Sequence, residues 1–104
     1  MVDRKQLAID FAKSLDHPEI EKIILFGSVA RGEDTKDSDI DIMIVTKNNN
    51  DDLKIEDDVY DKVMDVLLDT MVRISVKMRS IEHYNTYKDF SFYSNVEKDG
   101  VLIG

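Results

Sequence analysis

The sequence predicts an α/β (α+β) fold in which helices pack on a small mixed β-sheet. Three observations carry that expectation: two β-branched runs, "IEKIILF" at 20–26 and "DIDIMIV" at 39–45; apolar residues at helical spacing on either side of them; and an alternating stretch, "MVRISVKM" at 71–78. Short β-branched runs bounded by turn residues read as strands, and apolar residues three and four apart read as one face of a helix. With 104 residues and 42% apolar content, the chain is long enough for one core and too short for two, so 1–104 is expected to form a single domain.

In chain order, Leu7, Ala8, Phe11, Ala12 and Leu15 recur at helical spacing, with Asp3, Arg4, Lys5, Lys13 and Asp16 on the other faces. That predicts an amphipathic helix over about 3–16, ended by "DHPE" at 16–19. The run 20–26 stops at Gly27 and reads as a buried strand followed by a sharp turn. Residues 28–31 fit one helical turn closed by Gly32. "EDTKDS" at 33–38 reads as a polar loop, 39–45 as a second strand and "TKNNNDD" at 46–52 as an exposed turn.

Val59, Tyr60, Val63, Met64 and Leu67 then repeat at three and four residues between aspartates, which predicts a second amphipathic helix over about 53–69. In 71–78, Val72, Ile74, Val76 and Met78 share one face while Arg73, Ser75 and Lys77 share the other, the pattern of a half-buried third strand. Ser80 is placed to cap a short turn in "SIEHY". A last helix is expected over about 88–98, stopped by Gly100, with "VLI" at 101–103 as a terminal edge strand.

Composition narrows the function. No stretch of about 18 apolar residues could span a bilayer, and the N-terminus lacks the basic-then-apolar order of a signal peptide, so a cytoplasmic protein is expected. The absence of cysteine removes disulfides, thiolate metal sites and cysteine nucleophiles. A net charge of −8 repels phosphate backbones, which argues against duplex nucleic acid as a direct partner. A nucleotide carried with Mg²⁺ is compatible with that charge, because the cation changes the local sign.

The chemistry gathers at "LFGSVARGEDTKDSDIDIMIV", Leu25 to Val45. Side chains alternate along a strand, so Asp39 and Asp41 share a face, about 7 Å apart along the chain, while Ile40 and Ile42 turn to the core. Two carboxylates this close repel unless a cation or donors lie between them. All-oxygen ligands suit Mg²⁺ or Mn²⁺, which take one or two carboxylates plus substrate phosphates. The bland alternative for the pair is an ordinary strand with one wet face. Upstream, Gly27 and Ser28 end a strand where backbone can approach a phosphate closely, although a glycine there is also a common plain turn. Arg31 lies one helical turn from Ser28, where it either meets phosphate or pairs with Glu33, Asp34 or Asp37. Ser38 reads as a cap between loop and strand.

Gly27-Ser28, ten residues, then Asp39-Ile40-Asp41 resembles the GS-x10-DxD signature of the nucleotidyltransferase superfamily related to DNA polymerase β, and "GSVARGEDTKDSDIDIMI" resembles its minimal nucleotidyltransferase branch. The resemblance implies a polymerase β-like palm fold. It implies nucleotide-phosphate contacts at Gly27, Ser28 and Arg31, and Mg²⁺ or Mn²⁺ held by Asp39 and Asp41, the catalytic pair. The implied reaction transfers a nucleoside monophosphate, AMP from ATP, to an acceptor hydroxyl with release of pyrophosphate. The family also implies a HEPN-domain toxin as partner, neutralised by binding or by adenylylation. A domain without room for a separate acceptor-binding domain implies a partner or a homo-oligomer.

The chain departs from the family at the third carboxylate, normally carried by the next strand. Ser75 best matches that position, between Arg73 and Lys77, and no Asp or Glu occurs between Asp69 and Glu82. Three readings therefore stand: a working transferase completed by Glu82, Asp69, the acceptor or a partner; a nucleotide- and metal-binding regulatory module with little turnover; or a partner-neutralising protein in which Arg73 and Lys77 neutralise the aspartates. Outside the motif, Tyr84, Tyr87, Phe90, Phe92 and Tyr93 read as packing before interface. His17 and His83 read as surface or core residues, and the methionines as packing.

Overall fold

The computed structural model describes residues 3–47, 52–87 and 91–104. Helix α1 runs Arg4–Ser14 and starts at Asp3, whose carboxylate accepts a hydrogen bond from the Gln6 amide at 3.1 Å. That side chain satisfies one of the amides a helix start leaves without an internal partner. Strand β1, Ile20–Phe26, leads directly into the five-residue helix α2, Gly27–Arg31. Gly32 ends α2 in the left-handed conformation at φ 72°, which glycine adopts without strain. Strand β2 follows at Ile40–Thr46, and the 19-residue helix α3 at Asp52–Thr70.

Strand β3 spans Ile74–Ser80, starting later than the predicted alternation because Val72 and Arg73 precede the ladder. Helix α4, Ile81–Tyr87, is a full element where the sequence suggests only a short turn. The predicted cap is present, since the Ser80 hydroxyl accepts from the His83 amide at 3.1 Å. What extends the turn is burial: Tyr84 is buried, and Ile81 packs beside it. Helix α5 covers Ser91–Asp99, and β4 is Val101–Leu102. Residues 88–90, where the last helix was expected to begin, and 48–51 of the expected turn lie outside the described residues, as do the side chains of Phe90, Phe92 and Tyr93.

The strands form one mixed sheet in the order β3-β2-β1-β4. β2 runs antiparallel to β1 and parallel to β3, and β4 adds an antiparallel edge to β1. The parallel β2–β3 step needs a crossover, and α3 supplies it.

Both faces of the sheet are covered. On one, Ile40, Ile42 and Ile44 of β2 join Ala8 and Phe11 of α1 and Ile55 and Val59 of α3. On the other, Ile24, Met43 and Val45 pack with Tyr84 of α4 and Val96 of α5. β2 is therefore no ordinary strand with one wet face. Met43 and Val45, which share a face with Asp41, are fully buried, and Asp41 alone of its residues is half-buried.

Polar contacts tie the layers together. The His17 ring nitrogen Nε2 and the Lys62 ammonium each lie 2.6 Å from an oxygen of Asp58, joining the α1–β1 connection to α3. The Tyr84 hydroxyl donates to the Glu97 carboxylate, and Lys22 lies 4.7 Å above the Tyr84 ring. That ring is core rather than interface, whereas Tyr87 is exposed, its ring 4.7 Å from that of His83. No helix of the described residues is long and apolar enough to cross a membrane.

Candidate active site

The site is built where three strand ends meet. Phe26, the last residue of β1, is in register with Asp41, and Asp41 is in register with Ser75 of β3. The chain leaves Phe26 through Gly27 at φ 79°, in the left-handed region. A Cβ built on Gly27 would overlap the Asp41 carboxylate oxygen Oδ2. Glycine is thus required twice at this position, for its backbone angle and for the close approach of the turn to the carboxylate. Ser28, half-buried, follows in the first turn of α2.

Asp39 precedes β2 and is exposed; the Ile40 amide donates to the Arg73 carbonyl at 2.9 Å, which fixes the start of β3 beside the pair. Burial pushes the Asp41 carboxyl above its ordinary range, and the Asp39 charge pushes it the same way. Lys77 and Arg31 pull it back. Among the described residues, neither Asp39 nor Asp41 forms an ion pair within 4.0 Å. Arg73 and Lys77 therefore do not neutralise the aspartates by direct pairing, and the two carboxylates remain open to a ligand.

Arg31 is spent differently. Its Nε donates to Glu33 at 3.0 Å and its Nη1 to Asp99 at 3.4 Å. Of the acids considered from sequence, Glu33 is the partner and Asp34 and Asp37 are not. Asp99 was out of reach of any local reading, being 68 residues away and brought in by α5. Ser38 holds the loop as expected: its hydroxyl accepts from the Thr35 amide at 2.8 Å.

Periodicity puts Arg4 only on the polar side of α1. Its guanidinium donates to the carbonyls of Ser38 at 3.0 Å and Lys36 at 2.5 Å, clamping the loop that delivers Asp39. Nothing in the local pattern signals this contact, because it depends on where the loop returns. Beside Asp39 opens a polar cavity of about 460 Å³, with Arg4, Lys36 and Arg73 on its walls and Met71 at its edge. Its size lies within the range of small-molecule sites, and its lining carries both signs of charge, with Asp37 and Asp39 beside the three cations.

Ser75 stands opposite Asp41, at the position where the resemblance calls for the third carboxylate. Asp69 and Glu82 do not repair the gap. Among the described residues, no group of three His, Cys, Asp or Glu is arranged to hold a metal ion. Two carboxylates without an ion pair among the described residues still fit Mg²⁺ or Mn²⁺, which complete their shell with substrate oxygens and water.

A family model described as polymerase beta, nucleotidyltransferase matches residues 9–103. The chain is 40% identical over 95 residues to the Methanocaldococcus jannaschii protein named "Putative protein adenylyltransferase MJ0604", an alignment covering 91% of this chain and 89% of that one. Its fold is similar to a chain in the crystal structure of a toxin–antitoxin with AMP-PNP, at TM-score 0.57 and 17% identity, covering 99% of this chain and 73% of that one. It is also similar to a chain in the structure of a tri-AMPylated Shewanella oneidensis HEPN toxin with its MNT antitoxin, at TM-score 0.51 and 17% identity, covering 96% and 71%. The strand-turn-strand geometry around Gly27 and Asp41 and the match over nearly the whole sequence lead to one assignment: the chain belongs to the polymerase β nucleotidyltransferase family.

Proposed function

We propose that this protein transfers AMP from ATP to a hydroxyl on a partner protein, a HEPN-type toxin, and thereby acts as its antitoxin in the cytoplasm. The observation that carries the proposal is the closure of the Gly27 turn onto Asp41, a carboxylate with no ion pair among the described residues. The backbone of Gly27-Ser28 and the Ser28 hydroxyl bind the triphosphate. Arg31, held by Glu33 and Asp99, adds positive charge near Asp41. Asp39 and Asp41 would hold Mg²⁺ or Mn²⁺. When bound, the ion offsets the charge between carboxylates and phosphates and favours the leaving of pyrophosphate. The acceptor hydroxyl gives up its proton to solvent and its oxygen bonds to the α-phosphorus as the bond from that phosphorus to the bridging oxygen breaks, releasing pyrophosphate.

The name of the M. jannaschii relative supports a protein as acceptor, and the antitoxin complexes of similar fold support a HEPN partner. A second reading, a binding module with little turnover, is favoured by one feature: Ser75 faces Asp41 where an acid would ligate a second ion. Incubation of the chain and a co-expressed HEPN-type partner with Mg²⁺ and ATP labelled at the α-phosphate separates them. Label on the partner, lost in Asp39→Ala and Asp41→Ala, is the expected result. ATP binding without label supports the binding module, and no binding of either metal or ATP removes both readings.

A further inference from the structure

α3 carries an apolar face that the fold does not use. Tyr60, Met64 and Leu68 follow at four-residue intervals and Met71 lies just beyond, with relative exposures of 54%, 51%, 73% and 83%. Residues four apart are neighbours on a helix surface, so these form one stripe roughly 16 Å long. The other side of the helix is satisfied: Ile55 and Val59 are buried, and Val63 and Val66 pack against the same core. Exposed apolar residues scattered singly need no explanation, but a contiguous row with a polar edge marks an interaction site.

The edge of this row is acidic. Asp57, Asp61 and Asp65 each precede Tyr60, Met64 or Leu68 by three residues, and Asp69 continues the series; all four aspartates are exposed. None of them forms an ion pair among the described residues. Like charges four apart disfavour a helix, so the row is not there to stabilise α3. From Asp52 to Thr70 the helix has seven acids against two lysines, accounting for most of the net charge of −8. A second copy of this chain would bring acid against acid, and an acidic or neutral protein would leave the row unmatched.

The stripe also has a direction. It ends at Met71, which lines the same cavity as Asp39. A protein seated along α3 is thereby carried to the edge of the candidate active site.

We infer that the Tyr60–Met64–Leu68–Met71 stripe, with its aspartate edge, is the docking surface for a protein partner that presents an apolar helical ridge bordered by Lys and Arg. This deepens the reading above by assigning the surface that presents the acceptor, and rests on that reading only for the existence of a protein partner. The stripe supplies contact area and the aspartates supply orientation and selectivity against acidic proteins.

The test uses the ¹⁵N-labelled full chain and two synthetic 18-residue amphipathic helical peptides, one of Leu and Lys and the other of Leu and Glu. The Leu/Lys peptide is expected to shift amide resonances of 57–71 and to bind several-fold more weakly when salt rises from 50 to 300 mM. Leu68→Glu, and separately Asp61→Lys with Asp65→Lys, should each weaken it at least tenfold. Neither change should lower the circular-dichroism melt, since the Lys pair relieves the aspartate repulsion, and both should leave ATP binding unaltered, so a lost site is distinguishable from a lost fold. Shifts confined to another surface, equal binding of the Leu/Glu peptide, or no binding of either would overturn the proposal. So would concentration-dependent self-association that Leu68→Glu abolishes, since the occupant would then be a second copy. Failure of ATP binding or transfer in the parent chain would sink the proposed reaction while leaving these outcomes readable.

Discussion

Burial, reinforced by the charge of Asp39, lifts the Asp41 carboxyl above the ordinary aspartate value of 3.8. A group with a raised pKa in the fold binds more protons there than in the unfolded chain, so metal-free stability falls as pH climbs from 3.8 through the raised value. Asp41→Asn removes that penalty. In EDTA, the variant is expected to melt above the parent at pH 7, with the gap closing below about pH 4, where both states hold the proton. Added Mg²⁺ should raise the melting temperature of the parent and not of the variant. Gly27→Ala has the opposite outcome to Asp41→Asn: it places a Cβ against Asp41 in a left-handed backbone, and should cost about 1–3 kcal/mol in urea unfolding. Ser75→Asp restores an acid opposite Asp41 and should tighten Mg²⁺ binding and raise transfer. No change in either would show that strand register alone does not make position 75 a ligand. At this scale the sequence motif is local enough to read: Gly27 does approach Asp41, and Asp39 is near enough for its charge to act on Asp41. It was silent on Arg4 and on Asp99, whose contacts with the site join segments distant in the chain.

The elements were legible in proportion to their periodicity. β1 has the expected bounds of 20–26, and α2 closes at Gly32 as a one-turn helix should. α3, with its long three-and-four repeat, extends the expected 53–69 by one residue at each end. α4 escaped because "IEHYNTY" is too short to show a helical period, and its formation depends on burying Tyr84 against Met43 and Val45. Tyr84 ionises with difficulty: burial first and its hydrogen bond to Glu97 second keep the phenol protonated well above the usual tyrosine range. Ultraviolet titration should show one phenol, lost in Tyr84→Phe, resisting ionisation until the fold gives way. The junction of α1, β1 and α3 depends on Asp58, whose carboxyl is held low by the Lys62 hydrogen bond and then by that of His17. A lowered pKa contributes stability that is present above 3.8 and is lost as pH falls through the depressed value. Asp58→Asn should therefore destabilise by up to about 1 kcal/mol at pH 7, the ceiling for a partly exposed pair, and the difference should shrink in acid.

For the molecule as a whole, the second helical layer is the feature that changes the meaning of the sequence. Alternation around "DID" is consistent with a wet strand face, yet α4 and α5 cover that face and leave Asp41 at its margin. A half-buried carboxylate at the edge of a covered sheet, with no ion pair among the described residues and a glycine turn pressed against it, is a costlier arrangement than a solvated acid. Charge is unevenly spread as well: α3 is strongly acidic, while Arg4, Lys36 and Arg73 outnumber Asp37 and Asp39 in the lining of the cavity. A net charge cannot report that separation, which sets three cations beside Asp39 in a molecule of overall charge −8.

The most direct test of the central claim is calorimetric titration of the chain with a non-hydrolysable ATP analogue, with and without Mg²⁺, repeated on Asp39→Asn and Asp41→Asn. The account predicts one site per chain that requires Mg²⁺, with affinity reduced at least tenfold by either substitution. Equal binding by the parent and both variants, or binding indifferent to the cation, would contradict it.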